Sequence, residues 1–229
     1  YGIWNADGSS ARQCGNGARC VAAWLRRDGA AASARFRLDS PAGPVEAQCR
    51  EDGTIAIDMG MPDFAPAAIG LREGESERDP YRLEFADGPV HFGAVSIGNP
   101  HAVIEVSGLD DADVARTAAR MQAHPFFGEG CNVGFAQIES PTRLKLRVVE
   151  RGAGETLACG SGACAAVAVL ARRRRLGHEV DVHLPGGVLR VQWPGPGHPL
   201  WMSGPARFVF EGEFGASFTT WARVQEQHR

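Results

Sequence analysis

Short runs of alternating apolar and polar positions dominate the chain and predict strands at 36–39, 45–49 and 54–59. The turn Ser40-Pro41-Ala42-Gly43 joins the first two, and Asp52-Gly53 precedes the third. Gly60 to Asp63 reads as a boundary. Beyond it the same period-two pattern predicts strands at 81–86, 90–97, 102–107, 132–138, 143–150, 179–184, 187–193 and 206–211. Pro/Gly turns such as Pro194-Gly195-Pro196-Gly197 separate them. An amphipathic pattern predicts a helix over 110–123. Gly162 to Leu170 is apolar all round, so its helix belongs inside the molecule, not on its surface.

A repeat organises this pattern. Cys14-Gly15-Asn16-Gly17-Ala18 and Cys159-Gly160-Ser161-Gly162-Ala163 lie 145 residues apart, and each runs into an apolar stretch. At the same offset Asn5 corresponds to Glu150. A sheet wrapped around a central apolar helix, built twice, accounts for both the repeat and the strand-rich pattern. We therefore expect an α/β chain, of α+β type, with two similar units. The first covers residues 1–60 with a returning C-terminal strand near 204–214, the second covers 61–203, and a polar tail follows at 215–229.

The chemistry of one repeat unit is that of a helix start. The first N–H groups of a helix have no intrahelical partner and carry the positive end of the dipole. Glycines let that backbone approach an anion closely. A cysteine placed there has its thiolate stabilised, which suits it to general base work. Two such half-sites facing each other would hold one carboxylate and put a sulfur on each side of the adjacent carbon. That describes removal of a proton from one face and its return to the other.

Composition narrows the alternatives. At 229 residues, 44% hydrophobic and 22% charged, the chain reads as an ordinary globular protein of one or two domains. A net charge of −3 argues against bulk nucleic-acid binding. No apolar run is long enough to span a bilayer and no signal peptide precedes Tyr1, so the expected compartment is the cytoplasm. Of six cysteines, Cys20, Cys49, Cys131 and Cys164 read as small core residues. No Cys-x-x-Cys pair is present, so neither a zinc site nor a thioredoxin-like site is expected. The run Arg172 to Arg175 reads as a solvated helix end, with Gly177 as its cap. The last fifteen residues are polar and expected to be peripheral.

Five ordered motifs then carry a family resemblance over about residues 1–214. They are Asn5-Ala6-Asp7-Gly8-Ser9, Gln13 to Cys20, Gly98-Asn99-Pro100-His101-Ala102-Val103, Cys131-Asn132-Val133-Gly134-Phe135, and Glu150 to Cys164. In these the chain resembles diaminopimelate epimerases, pyridoxal-phosphate-independent enzymes that interconvert LL- and meso-diaminopimelate in lysine and peptidoglycan biosynthesis. The resemblance implies two barrel-like domains with the site in the cleft between them, a homodimer, and no cofactor or metal. It implies that Cys14 and Cys159 are the two acid/base groups. Gly15, Asn16, Gly160 and Ser161 would cradle the reacting carboxylate, and His101 and Glu150 would tune the cysteines. Asn5, Asn99, Asn132, Glu150 and Arg151 would contact the substrate, most of them at its distal amino acid centre. An arginine can hold a carboxylate in two bonds, and asparagine amides can orient both amine and carboxylate.

The first-half counterpart of Gly98-Asn99 falls before Tyr1. The chain is therefore expected to lack about its first fifty residues, well under a usual domain length, and to have an incomplete first barrel and weak or no activity. Two other readings stand beside the epimerase. One is a two-cysteine racemase of the same fold acting on proline-like amino acids, which would have no use for a distal amino acid site. The other is a non-catalytic redox or binding protein in which Cys14 and Cys159 form a switchable disulfide.

Overall fold

The computed structural model describes residues 1–4, 8, 14–110 and 113–213. The architecture is mixed α+β and dominated by sheet. Helix α1 (Gly15–Arg27) is followed by strands β1 (Arg35–Ser40), β2 (Gly43–Cys49) and β3 (Ile55–Asp58). A short helix α2 (Pro66–Ile69) leads to β4 (Tyr81–Leu83), β5 (Val90–Ser96), β6 (Pro100–Glu105) and helix α3 (Val114–Gln122). Then come β7 (Asn132–Ser140), β8 (Arg143–Glu150), β9 (Gly154–Thr156) and helix α4 (Gly160–Arg172). The strands β10 (Glu179–Leu184), β11 (Gly187–Gln192) and β12 (Trp201–Gly204) complete the described fold.

The strands form one continuous path, β1-β2-β3-β12-β11-β10-β8-β7-β6-β5-β4, with β9 added to β8. Two pairs are parallel, β10 with β8 and β6 with β7, and the remainder are antiparallel. The link between the early and late strands is β12. It pairs antiparallel with β3, Trp201 opposite Asp58 and Gly204 opposite Ile55, and with β11 on its other side.

Helix α4 is the centre of the main core. Its residues from Gly162 to Leu170 are all buried, and they pack among Val95, Val103, Leu146, Val148, Val182 and Val191. With every face covered by apolar sheet, the helix needs no polar side, as its sequence requires. Helix α1 lies against β2 and β3 and adds Ala18 and Ala22 to the same core. A second cluster covers the other face of β5–β7. There Tyr81, Phe92, Phe126 and Phe127 stack and edge against one another beneath α3.

Several expectations shift. Residues 206–211 form no strand. Val209 and Phe210 are almost fully exposed, and the place between β3 and β11 is taken by the shorter β12 instead. Phe208 lies 3.9 Å beneath the Arg27 guanidinium. The returning strand expected at 204–214 is therefore at 201–204. Helix α3 begins at Val114, capped by the Asp113 carboxylate, and not at 110. Helix α4 is closed by Arg173 at the C-cap and Arg174 just after it, not by Gly177. Arg174 takes the left-handed conformation (φ 59°), its N–H bonding Ala171 O while the Arg175 N–H bonds Leu170 O. Arg172, Arg173 and Arg175 pair with Glu77, Asp79 and Glu105, so this run serves the helix end. The tail at 215–229 lies outside the described residues. Among the described residues no helix is long and apolar enough to cross a membrane.

Candidate active site

Both cysteines occupy the position the repeat assigns them. Cys14 is the N-cap of α1, with extended backbone (φ −143°, ψ 104°), and its sulfur accepts the Gly17 N–H at 3.3 Å. Cys159 is the N-cap of α4 in nearly the same conformation (φ −118°, ψ 111°). Neither helix has an acidic residue in its own first turn, which leaves the dipole of each helix start uncancelled from within the helix.

The two helix starts meet over a methionine. A Cβ placed on Gly15 would stand 2.7 Å from Met202 Cε and 2.9 Å from Met59 Sδ. One placed on Gly160 would stand 2.8 Å from Met202 Sδ and 3.4 Å from Asn16 Oδ1. Both glycines thus lean on one side chain of β12, and a side chain at either would have to push the flexible ends of Met202 or Met59 aside. A direct bond also joins the halves: Asn16 Nδ2 donates to Ala158 O at 3.1 Å, just ahead of Cys159. All six cysteines are free thiols.

The second half-site is the more enclosed. Cys159 is 4% exposed, and burial together with the charge of Glu150 pushes its thiol up to about 12. Hydrogen bonds from Ser161 and the Gly162 backbone act in the opposite sense but do not prevail. Glu150 itself is anchored by the Thr156 hydroxyl at 2.6 Å.

Strand register gathers the remaining candidates. His101 on β6 stands opposite Asn132 on β7. Its ring is buried, its Nε2 is 3.0 Å from Asn99 Oδ1, and desolvation lowers its pKa to about 3, so it is neutral. Asn132 donates to Pro100 O at 3.1 Å and accepts the Arg151 N–H at 2.9 Å. Asn132 therefore ties the start of β6 to Arg151, the neighbour of Glu150, while Asn99 and His101 form a separate pair beside it. The Arg151 guanidinium is held outward by the Glu129 carbonyl at 2.7 Å, and its side chain is 44% exposed. Of the two residues expected to tune the cysteines, Glu150 acts on Cys159, whereas the contact of His101 is with Asn99. Asn5 lies outside the described residues. A surface cavity of about 550 Å³ lined in part by His91, Glu105, Arg173 and Arg175 includes none of these groups.

Comparison with known proteins decides between the readings. The family model described as diaminopimelate epimerase matches residues 1–65 and 93–209. A diaminopimelate epimerase of Xanthomonas axonopodis pv. citri is 55% identical over 214 residues, covering 93% of this chain and 75% of that protein. The chain belongs to the diaminopimelate epimerase family. A second member, from Xylella fastidiosa, is 54% identical over 212 residues, again 93% of this chain and 75% of the relative. Among solved structures, a hydroxyproline epimerase from Agrobacterium vitis with bound trans-4-hydroxy-L-proline superposes with a TM-score of 0.66. It is 18% identical, and the match covers 92% of this chain and 69% of that one. A predicted epimerase from Pseudomonas aeruginosa gives 0.61 at 15% identity, over 93% and 78%. At such identities these two speak for the fold alone.

Within this epimerase fold, three residues at the junction of the half-sites were not singled out from the sequence: Arg19, Met59 and Met202. The two methionines carry no sequence signal. Arg19 carries a weak one, a charge on the face of α1 that also holds the buried Gly15, Ala18 and Ala22.

Proposed function

We propose that this chain interconverts LL- and meso-diaminopimelate by a two-base proton transfer between Cys14 and Cys159. The observation that carries this reading is the convergence of two cysteine-capped helix starts on Met202 with a hydrogen bond between them. The identity to relatives named diaminopimelate epimerase supports the substrate.

In this reading the substrate's reacting carboxylate lies on the first N–H groups of both helices, at Gly15, Asn16, Gly160 and Ser161. Held between two positive dipole ends, it is best placed to accept the charge that develops as the α-proton leaves. One cysteine takes that proton as thiolate. The other, as thiol, delivers a proton to the opposite face, and the roles exchange in the reverse reaction. Cys159, buried beside Glu150, suits the thiol role before substrate arrives. Asn5, Asn99, Asn132 and Arg151 read the distal amino acid centre, and Glu150 contacts the substrate beside Cys159. The reading includes two pseudo-repeat units, one on β1–β3 with β12 and one around α4, with the site at their junction. It also includes a cytoplasmic homodimer.

The test is solvent-deuterium incorporation at the α-carbon of LL-diaminopimelate in D2O, on protein expressed from the complete reading frame. Deuterium should appear together with the meso isomer, and inversion should vanish in Cys14→Ala and Cys159→Ala. Absence of exchange from folded, reduced protein would reject diaminopimelate as the substrate and turn attention to proline-like amino acids.

A further inference from the structure

Arg19 is buried, only 8% exposed, yet it forms no ion pair among the described residues. Its Nε is fully enclosed and has no hydrogen-bond partner among the described residues. A desolvated guanidinium with an idle donor is costly to stability, so its presence calls for an explanation in geometry. That geometry is specific. Nη1 donates to Asn16 Oδ1 at 2.9 Å and approaches Met202 Sδ at 3.7 Å, while the guanidinium carbon would stand 3.5 Å from a Cβ on Gly204 of β12.

The contact with Asn16 fixes which way its amide faces, because an arginine can only donate. With Oδ1 taken, Nδ2 is turned to Ala158 O, immediately ahead of Cys159. Arg19 Nη1, the nitrogen that bonds Asn16, also touches the methionine on which Gly15 and Gly160 both rest. No counterpart exists in the second copy. The residue 145 positions on from Arg19 is Cys164, and that from Asn16 is Ser161, and neither side chain is long enough to reach back in the same way.

We propose that Arg19 is the positioning residue that holds the two cysteine-bearing helix starts in register, acting through Asn16 on the backbone of Ala158. The proposal rests on the two-cysteine reading for its catalytic consequence. It does not depend on the identity of the substrate. Arg19 touches no reacting atom; it sets how far apart and at what angle the two half-sites stand.

The experiment is a double-mutant cycle on protein from the complete reading frame. Because small displacements of a catalytic group are expensive, Arg19→Met should lower kcat by roughly tenfold or more. Asn16→Ala should cost about as much, and the double variant should be no worse than either single one, as for residues acting in one chain. Arg19→Lys, which keeps the charge but not the fork, should recover only part of the loss. Losses that multiply in the double variant, or an Arg19→Met protein within about twofold of the parent, would overturn the proposal. If Arg19→Met does not fold, Arg19→Lys with Asn16→Ala forms the same cycle. Amide hydrogen exchange without substrate separates this proposal from the assigned function. Protection at 18–21 and 163–166, the first hydrogen-bonded turns, should fall together in Arg19→Met, even were the parent inactive on diaminopimelate. Loss confined to 18–21 would mean that Arg19 supports only its own helix, and the proposal would fail.

Discussion

Cys14 and Cys159 cap helices that begin with the same five-residue pattern, but the two helices have different surroundings. Helix α1 lies on one side of the core and leaves Trp24 half exposed, and Cys14 keeps partial access to solvent. Helix α4 is buried along almost its whole length, and Cys159 with it. The shared pattern yields the shared part of the chemistry: an extended N-cap, free N–H groups and glycines that admit a close neighbour. The surroundings supply the asymmetry. Cys159 is pressed toward its neutral form by burial and a nearby carboxylate, while Cys14 keeps partial access to solvent. A two-base reaction needs one proton donor and one acceptor at a time, and unequal packing of equal motifs is a simple way to obtain them.

The largest expected effect tests whether the halves are chemically equivalent. Removing either sulfur should reduce inversion by roughly a thousandfold or more, within the range of general acid/base contributions. Exchange without inversion should survive selectively. Cys159→Ala should still exchange the α-proton of the isomer that faces Cys14, and Cys14→Ala that of the other. Equal residual exchange of both isomers by one variant would mean that a single group serves both faces.

A second contrast lies in reactivity. With its thiol pushed up to about 12, Cys159 holds on the order of one thiolate in ten thousand at pH 8. In substrate-free protein, iodoacetamide should modify the partly exposed Cys14 at least tenfold faster than Cys159, as read by peptide mass mapping, since Cys159 is both enclosed and held as thiol while only the thiolate reacts. Glu150→Gln removes the negative charge beside the sulfur and should narrow the gap. Labelling of Cys159 at the rate of Cys14 would contradict the asymmetry.

Much of this comparison was legible in the sequence, and the reason is local. A Cys-Gly-x-Gly-Ala pattern fixes an N-cap and a glycine start whatever lies around it, and the apolar run after Cys159 announced a buried helix. Strands β1, β2, β3, β7, β8, β10 and β11 followed from period-two alternation. What was not legible depends on partners distant in the chain. Residues 206–211 alternate well but meet no neighbouring strand. The short Trp201-Met202-Ser203-Gly204, which gave no strand signal, is the segment that joins the two halves of the sheet. Pro66 opens a one-turn helix that the apolar pattern could not mark. Met202, Met59 and the Asn16 link escaped for the same reason, since their role exists only once β12 has come between the two helix starts.

Matched glycines sharpen the contrast in packing. A Cβ on Gly17 would meet nothing nearer than Cys14, at 3.6 Å. On Gly162 it would stand 3.0 Å from Val148 Cγ2 and 3.3 Å from Cys159 Sγ, against a valine with no exposed surface. Gly17→Ala should therefore gain up to about 1 kcal/mol from helix propensity. Gly162→Ala should lose about 1 kcal/mol once overpacking outweighs the same gain. Urea unfolding midpoints would read the difference. Equal shifts would show that the second half-site yields as readily as the first.

The last contrast is a pH dependence that belongs to one half only, small near neutrality. His101, opposite Asn132 on β7, is held neutral by burial at a pKa of about 3, against 6.5 for an ordinary histidine. Its folded pKa is depressed, so below pH 6.5 the unfolded chain takes up a proton that the folded protein refuses. The histidine's contribution to stability is therefore intact above about pH 6.5 and is lost as pH falls toward 3, by about 1.4 kcal/mol per pH unit at most. His101→Gln, which keeps a polar partner within reach of Asn99 but cannot take up the proton, should flatten that part of the stability profile. It should leave the profile above pH 7 unchanged in slope. An unchanged acid slope in the variant would assign the loss to carboxylates instead, for Glu46, Asp87, Glu139, Glu155 and Asp181 are all lowered by ion pairs and lose their contributions in the same direction. Those pairs are largely solvent-exposed and screened by salt, whereas His101 is enclosed. Repeating the titration at high ionic strength separates them: the part that persists is that of the buried ring, and it should be the part that His101→Gln removes.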